Sequence, residues 1–186
     1  MSEKTMETDY LVMGTGAMGM AFVDTLLTET EHDIIMVDAH HKPGGHWNDA
    51  YTFVTLHQPS AYYGVSSKEL SKGIIDQTGY NQGLEDLATG PEILAYFDDV
   101  MRRRFLVSGR VRYLPMHDYD WDTGQAVPKL GGDPIKMTAR KKYVDSTWLK
   151  TSVPSTHVPN FDVSPEATLR PLNDLPKCAH QYEDYV

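Results

Sequence analysis

A chain of 186 residues, 40% hydrophobic and 23% charged, has the composition of a globular protein long enough for one domain with a real core and short for two. A formal net charge of -9 excludes the electrostatics of a nucleic-acid binder, and no apolar run approaches the length of a membrane span. No signal peptide is visible at the start, and the single cysteine, Cys178, cannot form an internal disulfide, so the expected compartment is the reducing cytoplasm.

The first apolar run, Tyr10-Leu11-Val12-Met13, leads directly into Gly14-Thr15-Gly16-Ala17-Met18-Gly19. Met18, Ala21, Phe22, Thr25 and Leu26 then recur at the spacing of one helical face. A second run, Ile34-Ile35-Met36-Val37, ends on Asp38. Residues 8–40 therefore read as strand, tight turn, helix, strand and acid, the opening βαβ unit of a dinucleotide-binding fold.

Each residue type in that unit has a physical task. Gly14 permits a sharp turn through backbone angles that a Cβ disfavours. Gly16 leaves no side chain between the backbone and a pyrophosphate, and Gly19 lets the helix sit close on the sheet. The helix mouth offers free N–H groups and the positive end of the helix dipole, so a diphosphate needs no lysine there. Asp38, about 20 residues past Gly19, is placed to accept from ribose hydroxyls and to repel a 2′-phosphate, which makes NADP the least favoured ligand of this site.

After Asp38 and Ala39 come His40-His41-Lys42-Pro43-Gly44-Gly45-His46-Trp47. Pro43-Gly44-Gly45 forces a loop where a plain NAD-binding unit would start its next helix. Gly-Gly-x-Trp downstream of Gly-x-Gly-x-x-Gly and an acid resembles the FAD-binding part of the flavin-containing monooxygenase-like oxidoreductases. That resemblance implies an FAD-binding Rossmann-like α/β fold, with a central parallel sheet and a small antiparallel β crossover layer. It implies cofactor contacts from Gly14, Gly16, Ala17, Met18, Gly19, Asp38, Gly45, His46 and Trp47, with Trp47 packing on the cofactor. Ala39 stands where the family often has a basic residue, so an extra side-chain contact to the adenosine is missing. His40, His41 and His46 match no standard zinc spacing, and no metal site is expected from them.

Alternation at Tyr51, Phe53 and Thr55 suggests a short strand ended by Pro59. The resemblance puts this segment beside the isoalloxazine ring, with His57 and Gln58 as hydrogen-bonding candidates and Tyr62 or Tyr63 as a wall. Residues 68–90 read as loop. Pro91 opens a helix from Glu92 to about Phe105, with Ile93, Leu94, Phe97, Val100 and Met101 on its apolar face and Ser108-Gly109 closing it. Arg102-Arg103-Arg104 then complements the dipole at that helix end.

Val111-Arg112-Tyr113-Leu114 reads as the third parallel strand, expected beside the first, which would bring Pro115-Met116-His117 near the adenine. Ala126 to Leu130 and Ile135 to Tyr143, separated by Gly131-Gly132-Asp133-Pro134, read as the antiparallel layer. Asp145-Ser146-Thr147 stands where the resembled family has Ala-Thr-Gly. Ser152 and His157 lack a Gly-x-Ser-x-Gly elbow, which excludes a hydrolase reading.

The resembled enzymes also carry a second Gly-x-Gly-x-x-Gly unit for a nicotinamide cofactor, and these residues contain none. The expectation is thus a single, incomplete FAD-binding domain acting on a small-molecule substrate if active, with no catalytic residue assignable. Two alternatives stand beside it: an NAD-binding dehydrogenase-type domain without flavin, and a catalytically silent cofactor-binding module.

Overall fold

The computed structural model describes residues 4–51, 53–147 and 160–166. Ser152, His157, Cys178 and residues 182–186 lie outside these.

Strand β1 (Lys4–Met13) enters the sheet, the chain turns at Gly14, and helix α1 (Ala17–Glu29) returns to strand β2 (Ile34–Asp38). β1 and β2 pair in parallel, with Tyr10 opposite Ile34 and Met13 opposite Val37. Both runs are apolar without alternation because both faces of the sheet are covered, as expected of central parallel strands. Val12, Ile34 and Met36 face the helices, whereas Leu11, Met13, Ile35 and Val37 face the opposite layer.

The buried stripe of α1 differs from the expected one. Met20, Val23 and Leu27 are buried together with Asp24, while Met18 is 76% exposed and Thr25 faces solvent. The helix is apolar around more than one face, so spacing alone allows two phases. The phase adopted buries Asp24 because Arg104 pairs with it and Ser67 donates to it from its backbone N–H at 2.9 Å. A buried carboxylate needs such partners, and none is visible from the helix's own sequence.

After β2 the chain makes a 3-10 turn at Gly45–Asn48, a second at Ser60–Tyr62, and the short hairpin β3 (Gly64–Val65) and β4 (Lys68–Glu69). The strand expected around 51–55 is reduced to one isolated bridge, Thr55 with Thr89. Tyr51 and Phe53 stack on each other at 5.4 Å between ring centroids.

Helix α2 (Gly90–Val100) starts at Thr89, whose hydroxyl accepts from Glu92 N–H while Glu92 accepts from the Thr89 N–H. This reciprocal capping box satisfies two orphan donors, and Pro91 sits in the first turn where its missing N–H costs nothing. The helix does not continue regularly to Phe105: Met101–Phe105 widen into a π-helical turn, Leu106–Ser108 tighten into a 3-10 turn, and Gly109 ends it at φ 71°. The arginines there are paired, Arg102 with Asp98, Arg103 with Asp99 and Arg104 with Asp24.

Strand β5 (Val111–Pro115) pairs in parallel with β2, not with β1 as the sequence suggested. Each right-handed crossover moves the chain one position outward in the sheet, so the strand after α2 lands beyond β2. Arg110 fastens that join, its Nη2 donating to Leu27 O at 2.8 Å at the end of α1.

Strands β6 (His117–Asp120), β7 (Gln125–Pro128) and β8 (Ile135–Asp145) form the antiparallel segment. β8 then runs parallel to β1 along its length, from Lys4 opposite Ile135 to Met13 opposite Asp145. The six-stranded order is β5-β2-β1-β8-β7-β6, a mostly parallel Rossmann-like α/β sheet with an antiparallel extension. Ala126, Ile135 and Met137 close the face opposite the helices. Among the described residues no helix is long and apolar enough to cross a membrane.

Candidate cofactor-binding site

The ends of β1, β2 and β8 meet at the Gly14–Gly19 turn. Gly14 has φ 94°, and a Cβ there would stand 2.8 Å from Ser146 Oγ. Gly19 packs so tightly that a Cβ would lie 2.2 Å from Gly14 O. These two glycines are therefore demanded by the fold itself.

Gly16 is different. Its angles, φ -71° and ψ -177°, suit any residue, and a Cβ would meet nothing nearer than Gly45 Cα at 3.5 Å. As N-cap of α1 it supplies no side-chain acceptor, and the first turn carries no acid. The orphan N–H groups and positive dipole end of a thirteen-residue helix are thus left to an external acceptor. The helix mouth is half-open: Gly16 and Ala17 are partly exposed and Met18 points into solvent.

Asp38 ends β2 at 5% exposure. Its Oδ2 accepts from Thr15 N–H at 2.5 Å and from Thr15 Oγ1 at 2.6 Å. Its Oδ1 accepts from His40 N–H at 2.7 Å and contacts His40 Nδ1 at 3.0 Å. Burial opposes the charge on Asp38, yet the hydrogen bonds from His40 and Thr15 outweigh burial and hold its carboxyl below the usual range. The Asp38 hydrogen bond pushes His40 up to about 9, aided by Asp49, whose Oδ2 lies 2.8 Å from His40 Nε2. At neutral pH an imidazolium therefore bridges two carboxylates. These four contacts already take up the about four acceptor sites of a carboxylate, so a further donor would have to displace one of them. Asp38 lies one strand over from the helix mouth, at the end of β2.

The loop after β2 folds back on this turn. Gly44 N–H donates to Thr15 O at 2.8 Å, and Gly45, at φ 55°, packs on Gly16. Asn48 Nδ2 donates to Gly45 O at 2.9 Å and fixes the loop from within. Ala39 is partly buried at its start. His46 is exposed with its ring 5.2 Å from that of Trp47. Trp47 itself is a core residue, 8% exposed, donating from Nε1 to Tyr63 OH at 2.7 Å and packing near Gly90.

The structure thus gathers Gly14, Gly16, Ala17, Gly19, Asp38 and Gly45 around one helix mouth. His57 and Gln58 are exposed further along the chain and make no hydrogen bond to that cluster among the described residues. Tyr62 is 75% exposed, whereas Tyr63 is the acceptor for Trp47. Of the segment Pro115-Met116-His117, Met116 N–H donates to His40 O at 3.0 Å, which joins the β5 end to the loop after Asp38.

Sequence reading missed Thr15, His40, Ser146 and Tyr113. Ser146 Oγ donates to Met13 O at 2.6 Å, so the hydroxyl clamps the end of β8 to the end of β1 beside the glycine turn. The Tyr113 hydroxyl is buried beside Thr15 without reaching hydrogen-bond geometry to any described residue, and burial drives its pKa well above the ordinary value. Thr15 and His40 carried one available signal: hydroxyl and imidazole donors close in sequence to the turn and to the acid.

No protein-family model matches the chain. Uncharacterized proteins of Mycobacterium tuberculosis and Mycobacterium bovis are each 49% identical to it over 174 residues, covering 94% of this chain and 32% of theirs. The chain thus spans about a third of the length of these curated relatives. Among solved structures, a flavin-containing monooxygenase from Stenotrophomonas maltophilia is 17% identical with a TM-score of 0.49, covering 76% of this chain and 38% of that one. An oxidized steroid monooxygenase bound to NADP is 20% identical with a TM-score of 0.49, covering 84% of this chain and 28% of that one.

Proposed function

We propose that the chain is the FAD-binding portion of a flavin-dependent, monooxygenase-like oxidoreductase. One observation carries the reading: Gly16 is a glycine that neither backbone angle nor packing requires, at the uncapped mouth of α1. A residue kept free of side-chain atoms there leaves room for a diphosphate on the main-chain amides. Asp38, at the end of β2, is the acid we assign to the adenosine ribose, a hydroxyl of which would displace one of the donors that Thr15 and His40 supply. The loop at Gly44–Gly45 replaces the helix that a plain NAD-binding unit would begin after β2, which favours FAD over NAD.

When bound, the flavin supplies the electron transfer. The chain's own residues bind and orient: α1 offers its N–H groups, Gly14 and Gly45 keep the backbone close, and Asp38 tethers the sugar. The test is the visible spectrum of the purified protein, followed by titration of FAD against NAD. A yellow protein, or FAD binding that saturates at one equivalent while NAD does not compete, is the expected result. A colourless protein that binds NAD and not FAD overturns the proposal in favour of a dehydrogenase-type domain. Binding neither leaves a silent module and also overturns it.

A further inference from the structure

A cleft of about 750 Å³ opens between the His41–Pro43 segment, α2 with the turns after it, and the end of β5. Its walls are Pro43 from that segment, Leu94 and Met101 from α2 and the π-helical turn, and Leu106 beyond them. These are apolar surfaces around an open space, the usual character of a small-molecule site. Tyr113 of β5 also lines it, although its hydroxyl is buried beside Thr15 and out of the cleft's reach.

The charges around the cleft run against those of the whole chain. Lys42 and Arg102 line it against one carboxylate, Asp98, which Arg102 already pairs with at 2.8 Å. Lys42 has no carboxylate partner among the described residues, and His41 adjoins it on the lining. A protein with net charge -9 thus presents a locally cationic edge to an apolar hollow.

We infer that this cleft binds a small molecule with an apolar body and a carboxylate, the body against Leu94 and Met101 and the carboxylate at Lys42. The inference does not require a bound flavin: apart from Pro115, which the sequence put near the adenine, none of the residues assigned to the cofactor lines the cleft. Gly44 faces Leu94, where a Cβ would stand 2.5 Å from Leu94 Cδ2, while Gly45 faces Gly16.

The experiment follows the methyl signals of Leu94, Ala95 and Met101 by NMR during titration with 4-phenylbutyrate and, separately, with the uncharged 4-phenylbutanol. Both probes should shift these methyls, the carboxylate binding about three- to fivefold more tightly, as one exposed charge contact allows. Lys42→Gln should bring the carboxylate to the affinity of the alcohol, and added salt should do the same. Ala95→Trp should fill the cleft and abolish both shifts; if that variant does not fold, Lys42→Gln decides alone. Shifts confined to other methyls, equal binding of the two probes, or an undiminished preference in Lys42→Gln would each overturn the inference.

Discussion

Gly45 packs against Gly16 so closely that a Cβ on Gly45 would stand 2.8 Å from the Gly16 Cα, while the reverse distance, from a Cβ on Gly16 to the Gly45 Cα, is 3.5 Å. The asymmetry separates structure from ligand. Gly45→Ala forces a side chain into left-handed backbone at φ 55° and against main chain, so a loss of about 1–3 kcal/mol is expected in urea unfolding. An unchanged midpoint would show that the loop sits elsewhere.

Gly16→Ala should leave the unfolding midpoint within about 0.5 kcal/mol of the parent protein, since its angles and surroundings accept a methyl. FAD affinity should fall at least about tenfold, because the methyl occupies space meant for the diphosphate, equivalent to about 1.4 kcal/mol. Undiminished FAD binding in this variant, measured by fluorescence quenching, would remove the main support for the proposed site.

Thr15 gives two donors to the buried Asp38 carboxylate, and only the hydroxyl is removable. Thr15→Val keeps the shape and deletes one hydrogen bond to a charged acceptor, so about 1.5–3 kcal/mol of stability should be lost at neutral pH. The deficit should shrink in acid, where Asp38 protonates and the bond matters less. A variant as stable as the parent protein at neutral pH would contradict this geometry.

The pH dependence of stability follows from the Asp38–His40–Asp49 chain. His40 is raised to about 9 in the folded state, so its contribution is complete below the ordinary histidine value of 6.5 and is lost as pH climbs through about 9. Asp38 is lowered, so its contribution is complete above the ordinary value of 3.8 and disappears as pH falls through its folded value. Urea midpoints should therefore decline between neutrality and pH 9, and His40→Gln should flatten that decline. A slope unaltered by the substitution would place the titrating group elsewhere.

The Thr89–Glu92 capping box makes a local prediction independent of any ligand. Thr89→Ala should cost about 1 kcal/mol and Thr89→Ser should restore most of it. Equal stability of all three proteins would mean that α2 is held by packing alone.

The sequence by itself determined the elements whose causes are local: the β1–Gly14–α1–β2 unit, the acid at Asp38, the loop imposed by Pro43-Gly44-Gly45, and the start of α2 at Pro91. Backbone preferences, capping chemistry and apolar runs act within a few residues, so a short window suffices to read them. Only the tertiary structure decided that β5 sits beyond β2, that α1 turns Asp24 inward toward Arg104, and that Ser146 closes on the glycine turn. Arg104 and Asp24 are 80 residues apart, and Ser146 and Gly14 are 132 apart. Such contacts depend on where distant segments are carried by the sheet, and no local preference encodes that. The histidine that charges the site escaped the sequence for a related reason: His40 acts through Asp38 and Asp49 together, and an imidazole's basicity is set by the neighbours that folding places around it.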